Sequence, residues 1–297
     1  MPDESLKTLR GLVPPLRVKP GTTVKLPHDF DPAYTAKFRD REHAQTALAV
    51  GVDLLSDLQP KLAAQERFAL LVVLQGMDAA GKDSTIKHVM SGLNPQGVAV
   101  HSFKVPSTQE LLHDYLWRYG RELPSRGMIG IYNRSHYEEV LVVRVHPENL
   151  ALQHLPAPGK RDVWGERFNE INNWERYLVD NGIEVLKLFL NVSKEEQRRR
   201  FLERLDNPEK TWKFTLADVR ERRYWDDYQH AYSEMLSHTS TEWAPWHVIP
   251  ADHKWFARLA AAASVLDALE RLRPRYPRRV SIPKAELERA RAELETE

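Results

Sequence analysis

Apolar residues recur along this chain in two alternating rhythms. Short dense runs at Phe68–Leu74, Val98–Phe103, Met128–Tyr132, Glu184–Leu190 and Trp246–Ile249 read as five strands. Between them, residues 83–92, 108–118, 135–145, 162–180, 194–205 and 217–236 carry helical spacing. A helix is also expected over 34–66, where Leu48, Val52, Leu55 and Leu58 recur at three- and four-residue steps, and over 253–272. The run Leu70–Leu74 is continuously apolar, as a parallel strand covered on both faces must be. This alternation predicts an α/β fold: a three-layer sandwich with a five-stranded, mostly parallel sheet and helices on both faces. Residues 1–33 are Pro-rich without clear periodicity and are expected to form an irregular arm. Residues 34–275 form the main domain, and 276–297 a charged helical tail. The segment 206–215, with Pro208 and no apolar face, is expected to be a loop between two helices.

Composition narrows the function. The 297 residues are 42% hydrophobic and 29% charged, enough for a core and against global disorder. With no cysteine, disulfides, thiolate metal sites and cysteine nucleophiles are excluded, which fits a reducing compartment. The longest apolar run, Phe68–Leu74, is far short of a membrane span, and the N-terminal MPDESLKTLR lacks the apolar stretch of a secretory signal. A cytoplasmic protein with no membrane partner is expected. Net charge is only +1, and no RNP or zinc-finger pattern occurs, so no nucleic-acid partner is expected. Charge is nevertheless segregated. Between Arg198 and Arg223, Arg198, Arg199, Arg200, Arg204, Lys210, Lys213, Arg220, Arg222 and Arg223 outnumber five acidic residues. The plainer reading of that stretch is a solvated helix face with pairs such as Arg199–Glu203.

The sharpest chemical signal is LLVVLQGMDAAGKDST at 70–85, a buried strand running through G-x-x-x-x-G-K into a helix. Gly76, Ala79, Ala80 and Gly81 let backbone N–H groups turn inward, the helix start adds about half a positive charge, and Lys82 reaches a terminal phosphate. Asp83, Ser84 and Lys87 continue the expected phosphate-binding set. Two departures matter: Asp83 replaces the usual Ser/Thr after the lysine, and Asp78 lies inside the loop. A bare carboxylate there would repel phosphate by about 4 kcal/mol at 4 Å and effective dielectric 20. A divalent cation between Asp78 and phosphate oxygens is the simplest compensation, Mg²⁺ being expected and Mn²⁺ a substitute. Capping of the helix by Asp78 or Asp83 is the alternative.

The third strand ends in Tyr132-Asn133-Arg134, followed by Ser135-His136-Tyr137-Glu138-Glu139. Asn133 stands where P-loop enzymes usually carry a metal-assisting acid, so Glu138 or Glu139 is expected to supply the missing charge, with Glu138 taken as the second metal ligand beside Asp78. Arg134 is placed to stabilise charge on a transferring phosphoryl group. Arg118, Arg121, Arg126 and Lys87 are expected to form a basic track for a longer anion.

At these residues the chain resembles the polyphosphate kinase 2 family, and more closely its class III branch. The resemblance rests on GMDAAGKDST at 76–85, YNRSHYEEVLVVRVHPE at 132–148, RFLERLDNPEKTWKF at 200–214, RRYWDDYQHAYSEML at 222–236 and TEWAPWHVIPADHKWFAR at 241–258. It implies transfer of the terminal phosphate of inorganic polyphosphate to AMP and ADP, reversible and Mg²⁺-dependent, with guanine nucleotides as further acceptors. It also implies a helical lid over about 198–225, with Arg200, Arg204, Lys210 and Lys213 closing over acceptor and phosphates, and a homodimer or homotetramer. Asn133 matches the class III pattern, where the diphosphate-preferring class has aspartate. The rival reading is a nucleoside monophosphate kinase using ATP as donor; the other is a non-catalytic polyanion-binding protein.

Overall fold

The computed structural model describes residues 2–36, 38, 40–156, 161–212, 214–277 and 282–296, with side chains from residue 6 onward. Five strands form one sheet: β1 (Ala69–Gly76), β2 (Val98–Ser102), β3 (Ile129–Asn133), β4 (Ile183–Asn191) and β5 (Trp246–Pro250). Their order is β2-β3-β1-β4-β5 and every pairing is parallel. β1 is buried along its whole length at the centre, as its unbroken apolar run requires.

Helices cover both faces. On one lie α1 (Pro2–Leu16), α2 (Arg41–Gln65), α3 (Lys82–Val89) and, further along the chain, a long Ala-rich helix over Lys254–Arg271. On the other lie α4 (Val163–Asp180) and a helix over Trp225–Thr239. Numbered on in chain order, Lys194–Asp206 is α5, Trp225–Thr239 is α6, Lys254–Arg271 is α7 and Lys284–Thr296 is α8. Every residue of α8 is exposed.

Several local expectations need correction. Residues 2–16 are not irregular: Leu9, Val13 and Leu16, at helical spacing, bury against α2 and α7. Pro14 and Pro15 sit on the exposed side of that helix, where water can satisfy the carbonyls they leave unpaired. Beyond it, Val18 N donates to Trp246 O (2.9 Å) and Arg17 bridges His247, so the arm shields the edge of β5. The helix expected from residue 34 starts at Arg41, because Asp40 caps it by accepting from His43 N. The stretch 135–145 is a tight 3₁₀ turn (His136–Val140) and one α-turn (Val142–Val145). The stretch 108–118 likewise holds two separate turns, Thr108–Leu111 and Trp117–Gly120. The loop expected at 206–215 contains a helical turn, Pro208–Thr211, and residues 222–224 interrupt the helix that follows it.

Candidate active site

In a parallel α/β sheet, ligands sit beyond the carboxyl ends of the strands, beside the point where strand order reverses. β1 ends there at Gly76. A Cβ at this residue would lie 2.9 Å from Leu190 O, so only glycine lets the loop leave the sheet. Ala79 (φ +60°) and Gly81 (φ +112°) both turn left-handed, giving a concave run of amides of the kind that binds anions. Gly81 caps α3 without any side-chain bond, and the first-turn N–H groups of an α-helix have no intrahelical acceptor. Neither Asp78 nor Asp83 caps this helix, which removes the alternative reading of these two carboxylates.

Lys82 folds back over the loop, its Nζ donating to Gly76 O (2.5 Å) and Met77 O (3.3 Å). Burial lowers its pKa, and the nearby Arg134 charge lowers it further. Asp83 is exposed and accepts from Asn133 Nδ2 (2.7 Å), tying the start of α3 to the end of β3. Arg134, with a left-handed φ of +64°, lies between two carboxylates: 2.8 Å from Asp78 and 3.7 Å from Glu138. Glu138 raises the Arg134 pKa, while desolvation raises that of Glu138 itself. Asp78, Arg134 and Glu138 line a cavity with Gly76, Gln197 and Tyr232. Arg134 and Glu138 also reach a second, more apolar cavity formed by Phe103, Leu111, Val143 and Leu152.

The two carboxylates already converge on a cation, the Arg134 guanidinium. Such a pair beside a phosphate cradle suits Mg²⁺, which uses one or two carboxylates plus phosphate oxygens. Among the described residues no cluster of three or more His, Asp or Glu forms an all-protein metal cage.

Other expected site residues fall elsewhere. Arg200 is almost wholly buried, donating through Nη1 to Ala79 O and Ala80 O (both 2.8 Å) and through Nη2 to Ala251 O and Asp252 O. Its Nε binds Glu196 (2.7 Å). With its donors committed, Arg200 braces the loop from behind and is not a cation closing over phosphate. Arg204 pairs with Asp218 (3.7 Å) and lies over the Phe201 ring, and Lys210 pairs with Glu203. Much of the surplus charge counted at 198–223 is therefore neutralised locally; Lys213 lies outside the described residues. Arg126 precedes β3, and its neighbour Gly127 donates to Phe68 O at the opposite end of the sheet. That places Arg126 about 25 Å, one eight-residue strand, from the cradle. Arg118 is buried on Lys104 O and Glu110, and Arg121 lies over Trp117. These arginines do not form the expected track. Lys87 remains exposed on α3.

Further residues hold the loop that the sequence reading did not single out. Gln197 Nε2 donates to Asp78 O (2.9 Å) and is itself held by Arg222 Nη1 (2.5 Å); Arg258 Nη2 donates to Ser84 Oγ (2.8 Å). The signal was present in α5: Glu196, Gln197 and Arg200 share one face at helical spacing and turn toward the loop. Replacing Arg200 by alanine is expected to leave four carbonyls without this donor. It should cost about 3 kcal/mol in urea denaturation and raise the donor KM; lysine should restore little of either, lacking the planar fork.

Comparison with known proteins places this arrangement. A sequence profile described as Polyphosphate kinase 2 matches residues 38–277. An ADP-polyphosphate phosphotransferase of Rhodopseudomonas palustris is 48% identical over 272 residues, covering 91% of this chain and 93% of that protein. An AMP/ADP-polyphosphate phosphotransferase of Meiothermus ruber is 48% identical over 262 residues, covering 88% and 94%. The crystal structure of polyphosphate kinase 2 from Arthrobacter aurescens TC1 superposes with a TM-score of 0.84 at 39% identity, covering 94% of this chain and 95% of that one.

Proposed function

The chain belongs to the polyphosphate kinase 2 family, and from that premise we propose that it transfers the terminal phosphoryl group of inorganic polyphosphate to AMP and ADP, giving ADP and ATP. The observation that carries this reading is the start of α3, which has no side-chain cap and whose amides, with Lys82, border a cradle edged by Asp78 and Arg134. GMP and GDP are further acceptors; a GDP-polyphosphate phosphotransferase of Pseudomonas aeruginosa is 34% identical over 249 residues.

The loop amides and Lys82 hold the donor's terminal phosphate, exchanging the Gly76 and Met77 carbonyls for phosphate oxygens. Asp78 and Glu138 would hold Mg²⁺, which when bound would neutralise phosphoryl oxygens. Arg134, held between these two carboxylates at the mouth of the cradle, faces the charge that develops during transfer. An acceptor phosphate oxygen forms the new P–O bond as the bond to the shortened polyphosphate breaks. The acceptor oxygen is already ionised, so no strong base is required. His136 offers none: it is fully buried, with Nε2 on Glu175 and its pKa lowered by burial. The segment 198–225 serves as the lid. A homodimer or homotetramer in the cytoplasm completes the proposal, the lack of cysteine suiting a reducing compartment.

The test is ATP formation from AMP, and separately from ADP, with long-chain polyphosphate and Mg²⁺ and with no ATP supplied. Excess EDTA should abolish it, and Mn²⁺ should restore part of it. Phosphorylation of AMP only when ATP is added would establish the rival ATP-dependent kinase instead.

A further inference from the structure

The face of α6 that packs on the sheet carries two buried tyrosines one turn apart, Tyr228 and Tyr232, ahead of Met235 and Leu236. Because β5 runs parallel to β4, the helix that leads into it runs the opposite way. The first half of α6 therefore stands at the carboxyl ends of the strands, beside the cradle. Tyr232 is almost wholly buried, and its ring stacks on Phe189 of β4 with centroids 4.4 Å apart. It also lines the cavity that holds Asp78, Arg134, Glu138 and Gln197.

The hydroxyl of this ring is unspent. Tyr132 OH donates to Tyr119 O, Tyr137 OH to Glu175 and Tyr228 OH to Glu221. Among the described residues, the Tyr232 hydroxyl has no hydrogen-bond partner. Its oxygen is not shut away from solvent, so it opens on the cavity that the ring lines. Glu138 and Asp78 are near enough for their charges to bear on it, yet both carboxylates are held by Arg134. Burial, and then the Glu138 charge, push the Tyr232 pKa well above the ordinary tyrosine range, so the phenol keeps its proton. A nearly buried hydroxyl without an acceptor forfeits the hydrogen bond that water would give it. A phosphoryl group entering this cavity brings the anionic oxygens that the hydroxyl lacks.

Resting on the polyphosphate reading of the cradle, we propose that Tyr232 is a further catalytic residue, its hydroxyl donating a hydrogen bond to a non-bridging oxygen of the phosphoryl group in transit. Arg134 borders the same cavity, so the group meets a guanidinium from the β3 side and a phenol from the α6 side. The P–O bond to the acceptor forms as the bond to the shortened polyphosphate breaks, and Tyr232 retains its proton throughout. Stacking on Phe189 fixes the ring, so the donor is in place before charge develops.

The test is Tyr232→Phe, assayed with long-chain polyphosphate and ADP. The ring and its stacking are kept and no protein hydrogen bond is lost, so the urea midpoint should stay at the parent value. Removing one hydrogen bond to a charged group should lower kcat by about ten- to a hundredfold, with the KM of each substrate within about threefold of the parent. Because the hydroxyl stays protonated, the ratio of parent to variant kcat should be constant from about pH 6 to about pH 9. A kcat within twofold of the parent overturns the proposal. So does a loss confined to KM, which marks a contact made equally in the ground state, or a loss matched by a lowered urea midpoint, which marks a structural role. A ratio that changes with pH would make Tyr232 a proton carrier and overturns its role as a fixed donor. Absence of turnover with every polyphosphate in the parent protein would instead overturn the function on which the proposal rests.

Discussion

Lys82→Ala is expected to lower kcat with polyphosphate and ADP by about a thousandfold or more, with the fold intact. The size follows from what preorganised cationic donors contribute when they act only on charge that develops in the transition state. The fold should survive because, among the described residues, Lys82 makes no ion pair and its two bonds go to carbonyls of its own loop, which join no other element of the fold. Far-ultraviolet circular dichroism and urea midpoint should match the parent within error while turnover collapses. Turnover within tenfold of the parent would remove Lys82 from the chemistry. The same residue predicts an alkaline limb. Its pKa is lowered by burial, and only the cation grips phosphate, so kcat/KM for the donor should fall as pH rises through a value below the ordinary lysine 10.5. In Lys82→Arg, which stays charged, that limb should vanish even if the rate is poor.

The features legible in sequence are those that local pattern alone determines. Each of the five expected strands is present, within a few residues, because each carries a dense apolar run, unbroken over Leu70–Leu74 in the central β1, and G-x-x-x-x-G-K after such a strand dictates the cradle. Asp78, Arg134 and Glu138 stand together in the fold, the last two because they follow the end of β3 directly. What failed was counting charge along the chain. Arg200, Arg204 and Lys210 read as free lid cations, yet each finds acceptors from the loop or from neighbouring carboxylates once the chain folds. Arg126 failed for a topological reason: a residue before a parallel strand lies at the end of the sheet opposite the site. Arg258, conversely, was invisible because its partner Ser84 is 174 residues away. The helix at 2–16 was masked by prolines whose exposed side makes them tolerable.

The largest effect on stability is expected far from the phosphates, at Lys187. This side chain and that of Glu175 are both fully buried, bonded to each other at 2.6 Å. Lys187 Nζ also donates to Tyr137 OH (2.9 Å) and Thr239 O (2.6 Å), so all three of its protons are used. Glu175 in turn accepts from Tyr137 OH (2.7 Å) and His136 Nε2 (3.2 Å), which fixes the turn that follows Arg134. The Lys187 charge, aided by the His136 bond, outweighs burial and holds Glu175 below the ordinary carboxylate range. Lys187→Met should therefore cost about 3–5 kcal/mol by urea denaturation at pH 8, because it strands a buried carboxylate without a counter-charge. The sign with pH should invert relative to the parent. Without Lys187, desolvation lifts the folded-state pKa of Glu175 above its unfolded value, so protonation favours the native state and stability returns as pH is lowered toward 5.5. Adding Glu175→Gln to Lys187→Met should recover most of the loss at pH 8, since a neutral amide can still accept from Tyr137 and His136. If the single and double variants are equally unstable and indifferent to pH, the damage comes from lost packing, and the pair does not hold the turn through its charge.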